Sequence, residues 1–398
     1  MVLDQPLKQL CSCAARRLNY EYTSRRTSVT VMRAWQLHAY SPPSPSGAEF
    51  LELSPKVCVP SINSPTDVLI RAHAASLNPF DARMTEGYGS TYLNVLRGAS
   101  HCSLPVSSGA ELPLTVGRDC SGIVTRVGMN VKRFRPGDEV YCAVPAHRNG
   151  SFADYVVADE SDIARKPKSV THLQAASLPY VACTVWSGVS TVARYNSVNA
   201  RGARVLIHGA SGGLGTFAVQ LMNAWGATVV GTCREENSDL VRSLGAKHTI
   251  DYRSPTAEQE LNDHCPYDLI LDPISSELSR ESVKYLGIWR GCAFVSFVSP
   301  LLNDGDNFGF PLGFVRSAFT FGSELFKNVT TGGRLYAWAF FQPNGYALDV
   351  VARLVDEGKI NPVITSVRKF EDTRAALFDV GQIHGKGKTV IDIVGASE

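Results

Sequence analysis

The most specific chemical pattern in the chain lies in HGASGGLG, from His208 to Gly215. A buried strand, RVLIHG, precedes it, and an apolar helical pattern, LGTFAVQLMNAWG, follows it. The N–H groups and the positive end of a helix that begins in this way can hold an anion. Glycines allow a tight turn and a close approach of the backbone to a pyrophosphate, and the stretch has Gly209, Gly212, Gly213 and Gly215. The pattern predicts a dinucleotide-binding turn; the alternative is a turn that only packs a strand on a helix.

The end of the next strand indicates which dinucleotide this turn would bind. An NAD enzyme places a carboxylate about 20 residues beyond the glycines, where it binds the ribose 2′-hydroxyl. This chain has Cys233 and Arg234 there. A guanidinium suits a phosphate, and Tyr252, at the end of the third strand, can add a hydroxyl. The pattern favours NADPH over NADH, and a surface arginine without a ligand is the alternative.

The elements that must position these residues fall into two regions. From Ala34 to about Ile163, short β patterns such as DVLIRAHAAS, CSGIVTRVG and DEVYCAVP alternate with turn residues, which predicts a mostly β domain. From about Lys168 to Gly333, strands and helices alternate, as a doubly wound parallel sheet requires. An amphipathic helix and a final strand close the chain. We therefore predict an α/β fold with two domains.

Composition excludes several classes of function. The chain has 398 residues, a net charge of +2 and 19% charged residues, so it has no electrostatic footprint for nucleic acid or an anionic membrane. No apolar run approaches the roughly 18 residues of a membrane span. Ten scattered cysteines favour a reducing compartment. Residues 1–32 are basic and rich in Ser and Thr, which predicts a mitochondrial presequence; the alternative is a disordered tail.

Several blocks resemble the medium-chain dehydrogenase/reductase superfamily. They are the glycine turn, with Gln220 five residues after Gly215, and the returning C-terminal segment. LQAASLPYVACTVWS resembles its quinone oxidoreductase branch, and GRDCSGIV, PGDEVYCAVP and HGKGKTVIDIV resemble a mitochondrial member of that branch. The resemblance implies a GroES-like catalytic domain over 33–165 and 336–398 and a Rossmann NADPH-binding domain over 166–335. It also implies a mitochondrial location, a role linked to ubiquinone and a reticulon-type membrane protein as partner. A homodimer is compatible with the sequence, which does not fix the oligomeric state.

The resemblance extends the cofactor site beyond the turn. Thr184 either contacts the nicotinamide carboxamide or faces the core. LDPISS, residues 271–276, departs from the Asn- and Gly-bearing turn that the family has on the nicotinamide side. The family's other contacts, carried across residue by residue, fall on Ser211, Gly213, Leu214, Tyr252, Phe297, Ala339, Phe340, His384, Gly385 and Lys386.

We predict no metal site, although many members of the superfamily bind zinc. A catalytic zinc takes Cys and His ligands, and the matching positions here are Asn78, Arg118 and Tyr180. A structural zinc would need four closely spaced cysteines, but residues 97–117 contain only Cys102.

Without zinc, the resemblance implies hydride transfer from NADPH to a quinone or an activated C=C, with a protein group or water supplying a proton. SLNPFDARMTEGYG, residues 76–89, is the predicted substrate wall. Asn78 is expected to donate to a substrate oxygen. Tyr88 takes the place of the proton-donating tyrosine of enoyl-thioester reductases, or is a core tyrosine. Asp119 is expected to pair with Arg118, and Asp81 to orient the loop.

Two other functions remain open from the sequence. An enoyl-thioester reductase would share every feature except the substrate pocket. A non-catalytic protein that binds NADPH and acts through a partner is the second, and the altered 271–276 turn favours it. The insertion at 298–322 either closes over the substrate or forms a dimer contact.

Overall fold

The computed structural model describes residues 30–41, 48–100, 111–382 and 385–395. In chain order, the strands β1–β16 are Val31–Leu37, Leu51–Cys58, Asp67–Ser76, Leu114–Thr115, Asp119–Val127, Glu139–Ala143, Tyr155–Asp159, Ile163–Arg165, Arg204–Ile207, Thr228–Cys233, His248–Asp251, Leu269–Asp272, Ala293–Ser296, Leu335–Trp338, Ile364–Lys369 and Lys388–Asp392. The helices α1–α12 are Pro79–Thr85, Ser90–Ser100, His172–Ala176, Pro179–Trp186, Gly213–Ala224, Ser238–Ser243, Ala257–Asp263, Glu277–Glu281, Leu301–Phe308, Phe310–Gly332, Gly345–Asp356 and Thr373–Gln382.

The first domain is built on a largely antiparallel sheet in the order β15-β16-β3-β5-β6-β8, with β7 also paired to β3. A smaller sheet, β2-β1-β4, lies in the same domain. Most side chains of β3 are buried, without the alternation of buried and exposed residues seen in a half-exposed strand. Both faces of this strand are therefore covered. Strand β16 joins β3 from the far end of the chain, so the C-terminal segment returns to this domain as predicted.

The second domain is a six-stranded parallel sheet in the order β11-β10-β9-β12-β13-β14. The four inner strands are apolar and almost wholly buried, as in the RVLI segment of β9, because helices cover both faces of the sheet. The edge strands β11 and β14 are only partly buried. The strand order reverses between β9 and β12, which is where open α/β sheets bind their ligands. The predicted α/β fold is confirmed. The domain limits remain a prediction, although β14 crosses the predicted limit at 335/336.

The insertion after β13 forms the helical hairpin α9–α10. It lies against the predicted substrate wall, because the Asp306 carboxylate accepts hydrogen bonds from the backbone N of Gly89 (2.6 Å) and of Thr91 (3.1 Å). The rings of Tyr92 and Phe310 also meet edge to face, with centroids 5.0 Å apart. The hairpin therefore contacts the loop between α1 and α2; a dimer contact stays a prediction.

Two predictions fall on residues outside the described part of the chain. They are the presequence, apart from its last three residues, and the cofactor contact at His384. Among the described residues, no helix is both long enough and apolar enough to cross a bilayer.

Candidate functional site

The glycine turn lies where β9 ends and α5 begins. Gly209 has φ +60°, in the left-handed region that favours glycine. A side chain at Gly215 would place its Cβ 2.2 Å from the Gly209 carbonyl oxygen, so only glycine lets α5 pack this closely on the turn. By contrast, a Cβ at Gly212 would meet nothing closer than 3.4 Å. The geometry therefore leaves open space at the N-terminus of α5, as a bound phosphate requires.

The structure brings Arg234 and Tyr252 together beside this turn. The Arg234 Nε donates to the Tyr252 hydroxyl at 3.1 Å, and the guanidinium also lies 3.6 Å from the Glu236 carboxylate. The turn is fixed to the same strand, because the Ala210 N–H donates to the Thr232 carbonyl at 2.8 Å. The Cys233 side chain points into the core and is 1% exposed. The cysteine fills the interior, and the arginine alone is presented to a ligand.

The segment before β16 lies against the other side of the turn. Gly387 donates its N–H to the Ser211 carbonyl at 3.0 Å, and the two segments form a parallel β-bridge between Gly212 and Gly387. Gly385 and Lys386 are exposed just before this bridge. The structure therefore brings these two predicted contacts to the phosphate turn, although they are more than 170 residues away in sequence.

Predicted contacts on the nicotinamide side gather near the carboxyl ends of β9 and β12. Leu214, Gly215 and Phe297 surround one narrow apolar gap there, too small to admit a water molecule. The Phe297 ring also packs on the backbone of Gly188, where a Cβ would lie 2.7 Å from it. Thr184 is 4% exposed and donates its hydroxyl to the Tyr180 carbonyl at 2.7 Å.

The two remaining contacts on this side follow β14. Ala339 donates its N–H to the Ser296 carbonyl at 2.9 Å and is buried, whereas Phe340 is 43% exposed. Ala339 therefore shapes the backbone here, and Phe340 offers a ring to a ligand.

Asp272 holds the turn at 271–276, the segment whose sequence differs from the family's turn. Its carboxylate accepts from the backbone N of Ile274 (3.0 Å) and of Ser275 (2.9 Å). This brings the Ile274 side chain onto Gly209, where a Cβ would meet its Cδ1 at 2.7 Å. A hydrophobic side chain thus covers part of the glycine turn where the family has a polar turn.

A buried polar cluster under the substrate wall was only partly predicted. The Asn78 amide donates to Asp119 (2.8 Å) and to Asp81 (3.2 Å), and its oxygen accepts from the Lys388 ammonium at 2.5 Å. Lys388 also lies 3.3 Å from the Asp119 carboxylate. Both N–H bonds of Asn78 are therefore occupied and the residue is 1% exposed. This corrects the expectation that Asn78 donates to a substrate oxygen, because the amide holds the wall from inside.

Asp119 does not pair with Arg118 as expected. It pairs with Lys388, and Arg118 instead faces Asp81 across 3.8 Å. Burial raises the pKa of the Asp81 carboxyl to about 6 and lowers that of Arg118 to about 10. Asp81 accepts from the backbone N of Asn78 at 2.9 Å, so it holds the start of α1 as a structural turn residue. Lys388 was missed, although a lysine inside the apolar strand KTVID was a signal for a buried partner.

Tyr88 is half-buried on the predicted wall. The Arg83 guanidinium lies over its ring, 3.6 Å from the centroid. Burial raises the pKa of its hydroxyl, and the nearby Arg83 acts in the opposite direction. The phenol therefore stays protonated at neutral pH, and its role as a proton donor remains a prediction.

Fold and site together define a class of protein. Residues 64–168 match the family model described as alcohol dehydrogenase GroES-like domain, and residues 244–391 match the one described as zinc-binding dehydrogenase. The chain belongs to the medium-chain dehydrogenase/reductase superfamily.

Relatives within this superfamily are similar over nearly their whole length. The chain is 43% identical to the human protein named NAD(P)H oxidoreductase RTN4IP1, mitochondrial, over 92% of this chain and 90% of that protein. It is 40% identical to reticulon-4-interacting protein 1, mitochondrial, of Caenorhabditis elegans, over 92% and 96%. The solved quinone oxidoreductase of Coxiella burnetii superposes with a TM-score of 0.69 at 25% identity, over 92% and 100%.

The zinc of the second family description does not fit the residues of this chain. The positions that match the zinc ligands carry an amide at Asn78, a fully buried guanidinium at Arg118 and a phenol at Tyr180. Arg118 donates to the carbonyl oxygens of Pro145 (2.5 Å) and Arg148 (3.1 Å), so its positive charge is fixed there. Within the described ranges, His, Cys, Asp and Glu form no group of three or more placed to hold a metal. Zinc independence stays a prediction.

Proposed function

We propose that this protein is an NADPH-dependent oxidoreductase that transfers hydride to a quinone or a related activated acceptor without zinc. One observation carries the proposal: Arg234 and Tyr252 lie side by side at the ends of β10 and β11, next to the glycine turn. A fixed guanidinium and a hydroxyl at that place suit a 2′-phosphate, and a carboxylate that would bind a free 2′-hydroxyl is replaced by Cys233. The bound nicotinamide would supply the hydride.

The residues of the chain would then have three tasks. The turn from Gly209 to Gly215 would bind the pyrophosphate through backbone N–H groups. Thr184, Phe297, Ala339 and Phe340 would orient the nicotinamide, and Gly385 and Lys386 would close over the cofactor. The wall at 76–89, held by Lys388 and Asn78, would orient the acceptor.

Location and partners are also proposed from the relatives. The human and nematode relatives are named mitochondrial, and the first 32 residues have the composition of a presequence. We propose a mitochondrial location, a link to ubiquinone metabolism and a homodimer. The nematode relative's name, reticulon-4-interacting protein 1, supports a reticulon-type membrane protein as partner.

Turnover with purified protein tests the proposal. NADPH and NADH oxidation would be measured with menadione, a soluble quinone, and separately with crotonyl-CoA, an enoyl thioester. Faster turnover of menadione with NADPH than with NADH supports the proposal. Turnover of crotonyl-CoA alone would replace it with an enoyl-thioester reductase, which the protonated phenol of Tyr88 favours.

The non-catalytic alternative rests on the Ile274 side chain over Gly209. If this side chain displaces the nicotinamide end of the cofactor, the adenosine end can still bind at Arg234. Calorimetry would then show NADPH binding while neither menadione nor crotonyl-CoA is reduced, and that outcome would overturn the catalytic proposal.

A further inference from the structure

Tyr180 lies between the two domains, in the first turn of α4. Its backbone N–H donates to the Asp119 carboxylate at 2.5 Å, and its carbonyl accepts from the Thr184 hydroxyl at 2.7 Å. Pro179, with its fixed φ, precedes it at the first helical position. The backbone of Tyr180 is therefore held firmly, and its ring has a defined direction.

The Tyr180 ring belongs to a row of aromatic rings that joins the two halves of the site. It stacks on Phe341 with centroids 4.4 Å apart and an angle of 30°. Phe80 is also nearly parallel to it, with centroids 6.3 Å apart, and Tyr88 meets Phe80 edge to face at 6.1 Å. Phe80 and Tyr88 belong to the predicted substrate wall, and Phe341 follows Phe340 on the nicotinamide side. The row therefore lies where an acceptor and the nicotinamide would meet.

The Tyr180 hydroxyl is available to donate a hydrogen bond to a ligand. Two fully buried tyrosines donate inside the protein, Tyr141 to the Leu348 carbonyl (2.6 Å) and Tyr267 to the Leu261 carbonyl (3.1 Å). Among the residues that the structure describes, the Tyr180 hydroxyl meets none within hydrogen-bond distance, and it is not among the polar atoms sealed from solvent. The hydroxyl is therefore free to donate to water or to a ligand. Burial raises the pKa of Tyr180 well above its usual value, so the group remains a donor at every physiological pH.

We propose that Tyr180 contacts the acceptor: its ring packs against a planar, conjugated carbonyl compound, and its hydroxyl donates a hydrogen bond to the carbonyl oxygen. This inference rests on the proposed function and makes it more specific, since a flat aromatic row fits a quinone ring better than a flexible acyl chain. Hydride brings two electrons and one hydrogen to the quinone, and one proton from water completes the hydroquinone. The hydrogen bond stabilises the negative charge that develops on the oxygen before this proton arrives.

Two substitutions separate the ring from the hydroxyl. Tyr180→Phe keeps the stacking surface and removes only the donor, so it is expected to fold normally. We expect kcat/KM for menadione to fall roughly 10- to 100-fold, the usual worth of a hydrogen bond to a developing charge, with Kd for NADPH unchanged within about twofold. Tyr180→Ala also removes the ring and is expected to abolish saturation with menadione. Tyr346→Phe, an exposed tyrosine on α11, is the matched control and should behave like the wild type.

A binding measurement keeps this inference distinct from the proposed function. Calorimetric titration of menadione into the protein with NADP⁺ present gives binding without turnover. Binding that is lost in Tyr180→Ala and kept in Tyr346→Phe supports the contact even if no quinone is reduced, in which case only the proposed activity fails. The inference is overturned if wild type does not bind menadione under these conditions, or if Tyr180→Phe retains wild-type kcat/KM.

Discussion

Substitution of Arg234 gives the sharpest test of the cofactor. The guanidinium lies at the end of β10, with its Nε fixed by the Tyr252 hydroxyl at 3.1 Å, and its side chain is 38% exposed. If it binds the 2′-phosphate, Arg234→Ala removes a charge-assisted hydrogen bond that only NADPH makes. One such bond at a partly exposed site corresponds to about a tenfold change in Kd, and a bidentate contact to about a hundredfold.

Fluorescence titration of NADPH and NADH into wild type and Arg234→Ala measures this effect. We expect Kd for NADPH to rise about 10- to 100-fold and Kd for NADH to change less than twofold. The NADPH preference of the wild type should also shrink between about 0.1 M and 1 M salt, because screening weakens a contact between exposed charges. Arg253→Ala, two residues after β11 and paired with Asp251, is the matched control.

Two results would refute the reasoning. An equal loss for NADPH and NADH would mean that the substitution disturbs the whole turn rather than a phosphate contact. No change for either cofactor would mean that Arg234 lies outside the site and that the Cys233–Arg234 pattern does not select NADPH.

Three further predictions concern the scaffold of the site. Gly215→Ala places a Cβ 2.2 Å from the Gly209 carbonyl oxygen, so calorimetry should show lost cofactor binding and a lower Tm, whereas Gly212→Ala, with 3.4 Å of space, should leave the Tm nearly unchanged. Lys388→Met leaves the buried Asp119 carboxylate without its cation and should lower the free energy of unfolding in urea by about 3–5 kcal/mol; a loss no larger than that of exposed Lys369→Met would contradict the assignment. Burial lowers the pKa of His208 to about 4, so the folded protein holds it neutral while the unfolded chain takes a proton near pH 6.5, and its contribution to stability is lost as the pH falls from about 6.5 toward 4. The free energy of urea unfolding of His208→Gln should therefore depend less on pH across this window than that of wild type. Identical pH profiles would mean that folding does not lower the pKa of His208.

Local pattern was sufficient for much of the fold. The glycine turn, the strand RVLI of β9, the helix that ends before Gly226 and the strand DVLIRAHAAS of β3 appear where the sequence predicts them. Each depends on neighbours in the chain: glycine where φ is positive, apolar runs where both faces of a strand are buried, and periodicity where a helix has one buried face. Arg234 and Tyr252 were also predictable, because parallel strands bring their carboxyl ends to one edge of the sheet.

The polar interior of the site was not predictable in the same way. The sequence suggested a pair between neighbours Arg118 and Asp119, but β5 begins at Asp119 and the two side chains meet different partners. Asp119 therefore meets Lys388 from β16, 269 residues away, and Arg118 meets Asp81. The same contacts occupy both N–H bonds of Asn78 and remove it as a free donor.

The sequence by itself determined the family and the two-domain α/β fold, and it supplied the residues that we propose for the 2′-phosphate, because these follow from periodicity and from fixed positions on consecutive strands. Only the tertiary structure decided which polar side chains make their hydrogen bonds within the protein and which remain accessible to a ligand. That choice depends on contacts between β3, β5, β16, α1 and α4, and the position of a buried charge is set by whichever opposite charge the fold brings within reach. It is why Asn78 is engaged inside the wall, while the Tyr180 hydroxyl beside it has no partner among the described residues.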